Sequence, residues 1–387
     1  MSYPDVLYRG EAFLAQYPRD SKLWEWASKA TSLAVIASSK LFINLFYNPK
    51  LYHIERLENA MDNAIKENRG LMTVMNHMSV VDDPFVWGVL PFRLFNKMES
   101  FRWCLGASNI CFQNKIFATF FSMGQVLGTG RFGKGPFQGS IDAAIRLLSP
   151  DDTMDLEYIP KSYENSSSNV KTTNNINTLF RKHINPVLRD KPSWVHVYPE
   201  GFVLQLQPPF NNSMRYFKWG ITRLILESTK PPIIVPMFST GFEKIAPESA
   251  ANTIIERYLP RNFGAEIKVT IGQPINDEII DAYRNEWKSL CDKYSDPKAP
   301  TDLSDELKYG KEAQDLRGRL AAELRRSLAN IRHNECGFPE EDPRFKSPEW
   351  WKKYTATEGA SDPEVQFIGE NWAIRRLQKF LNEDEKK

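Results

Sequence analysis

Several ingredients are scarce in this sequence, and each scarcity removes a class of protein. The 387 residues hold four cysteines, Cys104, Cys111, Cys291 and Cys336, and no two of them form a C-x-x-C pair. With five histidines in the chain and no Cys/His cluster at ligand spacing, a structural zinc site is not expected and the thiols are read as reduced. A surplus of one charge is also missing: 50 Lys+Arg stand against 48 Asp+Glu, a net +2. Neutralising nucleic-acid phosphates takes a clear basic excess, so a general nucleic-acid binder is excluded. The N-terminus has no basic start leading into an apolar run and a small-residue cleavage site, so no secretory signal is expected there. Asp5, Glu11 and Asp20 likewise break the acid-poor rule of a cleavable mitochondrial presequence. No internal repeat is visible.

Apolar residues, in contrast, are plentiful: 42% of the chain is hydrophobic and 12% aromatic, with 24 Phe and 10 Trp. That composition excludes a disordered chain and is enough for a sizeable core, with aromatics to spare for anchoring at a membrane interface. The first hydrophobic stretch is ATSLAVIASSKLFINLFY, residues 30–47, ended by Asn48-Pro49. Its length is near the lower limit for a bilayer span. Lys40 lies inside it, and a lysine at mid-bilayer costs roughly 2.5–3.5 kcal/mol. The stretch reads as a helix inserted in one leaflet, with Lys40 snorkelling to the headgroups and Trp24 and Trp26 at the interface; a true span and a buried core helix are the alternatives.

Periodicity then organises the chain. Residues 57–68 have helical spacing, and the apolar run LMTVM at 71–75 reads as a buried strand. A polar loop at 76–83 leads to a helix starting at Pro84, with Asp83 as its cap. Residues 103–127 continue the mixture of strands and helices, 128–139 form a glycine-rich loop and 140–148 a helix. The polar, low-complexity stretch 160–177 reads as a poorly ordered insertion. Strands are expected at 193–197, 233–238 and 267–271, and helices at 213–229, 277–294 and 305–334. Strands alternating with helices predict an α/β domain. The expected division is an N-terminal segment at 1–50, an α/β domain at 51–275 with an insertion at 160–192, and a helical extension at 276–387.

The segment Asn76-His77-Met78-Ser79-Val80-Val81-Asp82-Asp83-Pro84 carries the chemistry. A histidine just past a buried strand sits at the open edge of an α/β sheet, where ligands bind. Asp82, five residues on, is close enough to bring its carboxylate back to the imidazole, fixing the tautomer and leaving the other nitrogen as a general base. The alternative is that both aspartates cap the helix, although Pro84 makes Asp83 sufficient for that task. No G-x-S-x-G nucleophile motif is present, so a base at His77 would act on a substrate hydroxyl, which points to acyl transfer to an alcohol. Residues 93–134 carry six basic side chains and one acidic, a local +5. Arg131 and Lys134 fall in the glycine-rich loop, which is either a phosphate cradle or a solvated basic loop. Tyr198-Pro199-Glu200-Gly201 follows a strand and offers a carboxylate and a backbone N–H at the same edge, or is a simple turn.

Taken together and in order, His77-x4-Asp82, the segment around Arg131, Tyr198-Pro199-Glu200-Gly201 and the strand with Val235-Pro236 resemble the four motifs of the glycerolipid acyltransferase family. The runs GLMTVMNHMSVVDDP, FVWGVLP and VHVYPEGFVLQ are similar to its tafazzin branch, fungal type. Phe202 is a departure, since many members of the wider family carry a small or hydroxyl residue there. The resemblance implies a mixed central sheet flanked by helices, glycerol-phosphate acyltransferase-like, with an N-terminal membrane-anchor helix and a helical C-terminal extension. It implies a phospholipid–lysophospholipid transacylase that remodels cardiolipin without coenzyme A and without a cofactor or metal. An acyl-CoA-dependent lysophospholipid acyltransferase shares the same motifs and is the alternative. By the same resemblance, His77 and Asp82 are catalytic, Arg131 holds a lipid phosphate, and Glu200 with Gly201 positions the glycerol. The 213–229 helix would be a second membrane-associated segment, its Lys218, Arg223 and Lys230 meeting anionic headgroups. The implied partners are phospholipids and lysophospholipids (cardiolipin, monolysocardiolipin, phosphatidylcholine) and a membrane surface, with membrane-protein complexes or a homo-oligomer left open. The implied location is mitochondrial, on inner and outer membrane surfaces facing the intermembrane space.

Overall fold

A computed structural model describes residues 3–99, 101–130, 135–155, 158, 186–206, 210–247 and 259–352. The 160–177 stretch, Arg131 with Lys134, and the C-terminal tail fall outside the described residues. Seven strands form one sheet: β1 (Asn48–Tyr52), β2 (Leu71–Met75), β3 (Trp103–Ala107), β4 (Val126–Thr129), β5 (Trp194–Val197), β6 (Ile233–Thr240) and β7 (Glu266–Ile271). Their order is β1-β7-β6-β2-β5-β3-β4. All neighbours are parallel except β6 and β7, so the sheet is mixed. β2 lies at the centre, buried along its whole length, as a continuous apolar run requires. β1 was hidden in the sequence by Pro49, which an edge strand tolerates because one side of its backbone needs no donor.

Helices cover both faces. Side chains of β2 alternate, as strand geometry demands. Met72 and Val74 face a core with α1 (Pro4–Leu14), α7 (Gly139–Leu148), α8 (Arg223–Leu226), α9 (Asp277–Tyr294) and α10 (Lys311–Asn330). Leu71 and Met75 face another with α2 (Lys22–Phe46), α3 (Ile54–Glu67) and α4 (Asp82–Val89). Two short helices, α5 (Ser108–Cys111) and α6 (Lys115–Met123), stand between β3 and β4.

Three expectations are corrected. The 213–229 segment is helical only from Trp219 onward. Residues 213–217 have no regular secondary structure and are all buried, which a helix with one buried face does not allow. Their backbone is satisfied by distant side chains: Arg215 N–H donates to Glu200, and the carbonyls of Met214 and Arg215 accept from Arg325. Arg223 is fully buried and paired with Asp142 (2.8 Å) and Glu227 (2.6 Å), so it does not meet headgroups. The 305–334 helix is broken at Gly310 and ends in a wider turn over Ile331–Glu335.

The third correction concerns Lys40. Helix α2 runs 25 residues, longer than the apolar stretch, and buries Ser28, Ser32, Ile36, Ser39 and Ile43 along one face. The small residues in that seam let α4 come close: a Cβ on Gly88 would lie 2.8 Å from the Lys40 backbone nitrogen. Lys40 Nζ turns inward and donates to the carbonyls of Gly88 (2.9 Å) and Leu90 (3.1 Å), capping the open end of α4. It therefore does not snorkel. Among the described residues no helix is long and apolar enough to cross a membrane.

Candidate active site

His77 lies two residues past β2, and the loop that holds it is built by its own backbone. Asn76 fixes the strand end by donating to and accepting from the backbone of Ser239 in β6. Asp82 is fully buried and its Oδ2 accepts from the N–H groups of Met78 (2.7 Å) and Ser79 (2.9 Å), closing a tight turn. The same oxygen is 2.9 Å from His77 Nδ1. A carboxylate accepts, so Nδ1 carries the proton and Nε2 keeps its lone pair. The His77 side chain is 22% exposed and lines a large cavity.

Glu200 is positioned after β5 and is 1% exposed. Its Oε1 accepts from His77 N–H (2.9 Å) and its Oε2 from Arg215 N–H (3.2 Å). Burial pushes its carboxyl up to about 7, against the pull of those two donors. Gly201 adopts a left-handed φ of +79°, and a Cβ there would press on Lys218 at 3.0 Å. Its N–H donates to Tyr198 O, closing the turn, so it is not the free donor expected from the sequence. His77, Asp82, Glu200 and Gly201 thus converge at the ends of β2 and β5. Arg131 lies outside the described residues, while Gly130, Gly135 and Pro136 on either side line the cavity.

The structure adds contacts that the sequence did not show. The Tyr198 ring stacks on the His77 imidazole, 4.4 Å between centroids and 26° from parallel. Asp83 does not cap α4. Its Oδ1 accepts from Trp87 Nε1 (2.7 Å) and Arg102 Nη2 (2.5 Å). Burial alone would raise this carboxyl, but the adjacent Arg102 guanidinium outweighs it and holds Asp83 below the usual range. His196 in β5, 2.8 Å from Thr73 Oγ1, is held neutral because burial lowers it to about 3. No sequence spacing links Asp83 to Arg102, 19 residues away, so that pair was not legible.

The cavity measures about 2180 Å³. That is above the roughly 300–1,000 Å³ usual for small-ligand sites. One part, toward α2, α5 and α6, is lined by Val35, Ile110, Phe117, Phe120 and Phe121; another, toward α10, by Lys218, Arg326 and His333. Such a space, which His77 also lines, accepts a molecule with long apolar parts and a charged head. Among the described residues no group of acids, histidines and cysteines is disposed to hold a metal ion.

Known proteins share this arrangement of sequence. Residues 53–240 match the family model for acyltransferases, a span that includes His77, Asp82, Glu200 and Gly201. Over 381 residues the chain is 63% identical to the tafazzin of Saccharomyces cerevisiae, covering 98% of this chain and 97% of that protein. It is 29% identical to the tafazzin of Drosophila melanogaster, over 67% of this chain and 55% of that one. It is also 29% identical to the N-acylphosphatidylethanolamine synthase of Arabidopsis thaliana, over 67% of this chain and 77% of that one. The chain therefore belongs to the acyltransferase family, among the tafazzins, and is an acyl-transferring enzyme.

Proposed function

We propose that the protein is a phospholipid–lysophospholipid transacylase that remodels cardiolipin without coenzyme A, using His77 as general base. The observation that carries this reading is the 2.9 Å contact between His77 Nδ1 and Asp82 Oδ2, with the imidazole opening on a cavity that is apolar on one side. His77 Nε2 takes the proton of a lysophospholipid hydroxyl, such as that of monolysocardiolipin. The freed oxygen attacks the ester carbonyl of a donor phospholipid, for instance phosphatidylcholine. The tetrahedral adduct collapses by breaking the donor's ester bond, and His77 returns its proton to the departing hydroxyl. Asp82 orients the imidazole and stabilises its charged form. An ester replaces an ester, so the exchange is nearly thermoneutral and the product mixture follows lipid packing.

Glu200 works through His77, since both its oxygens are engaged by backbone donors; it is a positioning residue. Gly201 keeps the turn beside it narrow. Arg131 holds a lipid phosphate in the glycine-rich loop. Attachment to the membrane runs through α2, which turns Leu23, Trp26, Leu41, Leu45 and Phe46 outward. Each such side chain stabilises attachment by up to roughly 1.5–3 kcal/mol when fully buried. The likeness to tafazzins supports a mitochondrial location on surfaces facing the intermembrane space.

The test is lipid exchange by purified protein, with and without coenzyme A. Acyl groups are expected to move from phosphatidylcholine to lysolipid in its absence, and His77→Ala is expected to stop this. Activity surviving that substitution refutes the base assignment. A strict need for acyl-CoA assigns the protein to the acyl-CoA-dependent lysophospholipid acyltransferases.

A further inference from the structure

Helix α6 breaks the rule that an apolar sequence is a buried one. Its nine residues, KIFATFFSM, include none that is buried. Ile116 is 79% exposed, and Phe117 and Phe120 are 45% and 43% exposed. The helix is held in place, because Asn114 caps its first turn (3.0 Å to Phe117 N–H) and Ser28 of α2 donates to the carbonyl of Met123. Beyond that seam α2 turns out Leu23 and Trp26, 76% and 70% exposed, so the two helices present apolar side chains from a common base. A soluble surface rarely carries such a patch without a partner.

The same helix lines the catalytic cavity. Phe117, Phe120 and Phe121 face it, together with Ile110 of α5. Exposed apolar surface thus continues into the space that His77 faces. We infer that α6 is a lipid-immersed portal: it lies in the outer part of a phospholipid bilayer, and Phe117 and Phe120 form the sill over which acyl chains slide sideways into the cavity. This deepens the transacylase reading and rests on it. The continuity of the patch with the cavity favours a bilayer over a second protein copy, since a protein seated on α6 would seal the opening, whereas a bilayer fills it with substrate. The charge fits as well: Lys22, Lys29 and Lys115, all exposed, stand around the patch against Glu25, and suit lipid phosphates.

The portal is tested with a polarity-sensitive fluorophore on Ile116→Cys, in the full chain with Cys111→Ser and Cys336→Ser. Vesicles of phosphatidylcholine, some carrying a nitroxide quencher on the acyl chain, are added, and vesicle binding is followed separately by flotation. The emission is expected to shift to the blue and to be quenched, while the same probe on Lys288→Cys in α9 is unchanged. Emission that stays water-like on vesicle-bound protein overturns the portal, as does a blue shift already complete without vesicles, which would assign α6 to contact between copies. In a second arm, Ile116→Asp is compared with the unaltered protein. Ile116 does not line the cavity and is 79% exposed, so its replacement leaves the chemistry intact. Exchange between vesicle lipids is expected to fall by about tenfold or more, and exchange between short-chain lipids dispersed as monomers to be kept. An equal fall in both overturns the portal. If the unaltered protein exchanges no acyl groups at all, the transacylase reading fails, and the fluorescence still decides where α6 lies.

Discussion

Asp82 serves two ends with one oxygen, and this makes it more sensitive than its distance from the substrate suggests. Its Oδ2 closes the Met78–Ser79 turn and also holds His77 Nδ1. In Asp82→Asn the amide oxygen can still accept from the two backbone donors and from His77 Nδ1, but it carries no charge, so the imidazolium formed during transfer loses the carboxylate that stabilises it. A fall in acyl transfer of roughly 10²–10⁴-fold is expected, with the circular dichroism spectrum unchanged. Glu200 makes a pH prediction. Its carboxyl is raised by burial from 4.5 to about 7, so between these values the folded protein keeps a proton that the unfolded chain has released. Stability therefore declines as pH rises through that window and levels off above it, and Glu200→Gln should flatten the decline in a series of Tm measurements. The His77–Asp82 spacing was legible in the sequence because both residues sit in one short loop. The Tyr198 stack and the Asp83–Arg102 pair were not, since they join separate strands and loops.

Among the elements, α2 and α4 show how close packing reassigns a residue. From composition, Lys40 is an anomaly in an apolar run, and headgroups are its natural destination. The structure gives it three carbonyls at the end of α4, because the Ser32, Ile36 and Ser39 seam lets the helices approach until Lys40 reaches them. Burial lowers its pKa, as expected for an ammonium drawn out of water. Lys40→Met should lower the Tm in the absence of lipid, with a loss of about 1–3 kcal/mol from carbonyls left unpaired; a headgroup role predicts no change there. The 213–217 segment teaches the opposite lesson about periodicity. Its apolar residues have helical spacing, yet Glu200, Glu341 and Arg325 supply backbone partners from elsewhere in the chain, and a non-helical path through the core wins.

Across the whole molecule, a buried ionic network joins α1, α7, α8 and α10. Arg223 pairs with Asp142 and Glu227, Glu227 meets Arg317 of α10 at 3.5 Å, and Asp142 reaches Arg9 of α1 at 3.1 Å, which also holds Asp302. Arg223, Glu227 and Arg317 have no exposed side-chain surface. Removing one partner leaves a buried charge uncompensated, so Arg223→Met should cost about 3–5 kcal/mol in denaturant unfolding. The loss is expected to appear as one transition that includes the C-terminal helices, since the network crosses α1, α7, α8 and α10. Aromatics complete the closure: Arg215 lies over the rings of Phe202 and Tyr216 at 4.2 and 4.3 Å, and Trp350 and Trp351, which had no readable period, pack with Phe202.

What the sequence determined by itself was local: the α/β alternation, the buried central strand, the helix at 277–294, and the histidine with its aspartate five residues on. Each is set by periods of two or 3.6 or by a loop too short to wander. Only the tertiary structure decided which strands are neighbours, that Glu200 holds the backbone of His77, that Lys40 and Arg223 turn inward, and that α6 stays bare. Those outcomes depend on groups from separate elements, 48 residues apart for Lys40 and Gly88 and 123 for His77 and Glu200, competing for the same desolvated space, and neither propensity nor spacing along the chain records who wins that competition.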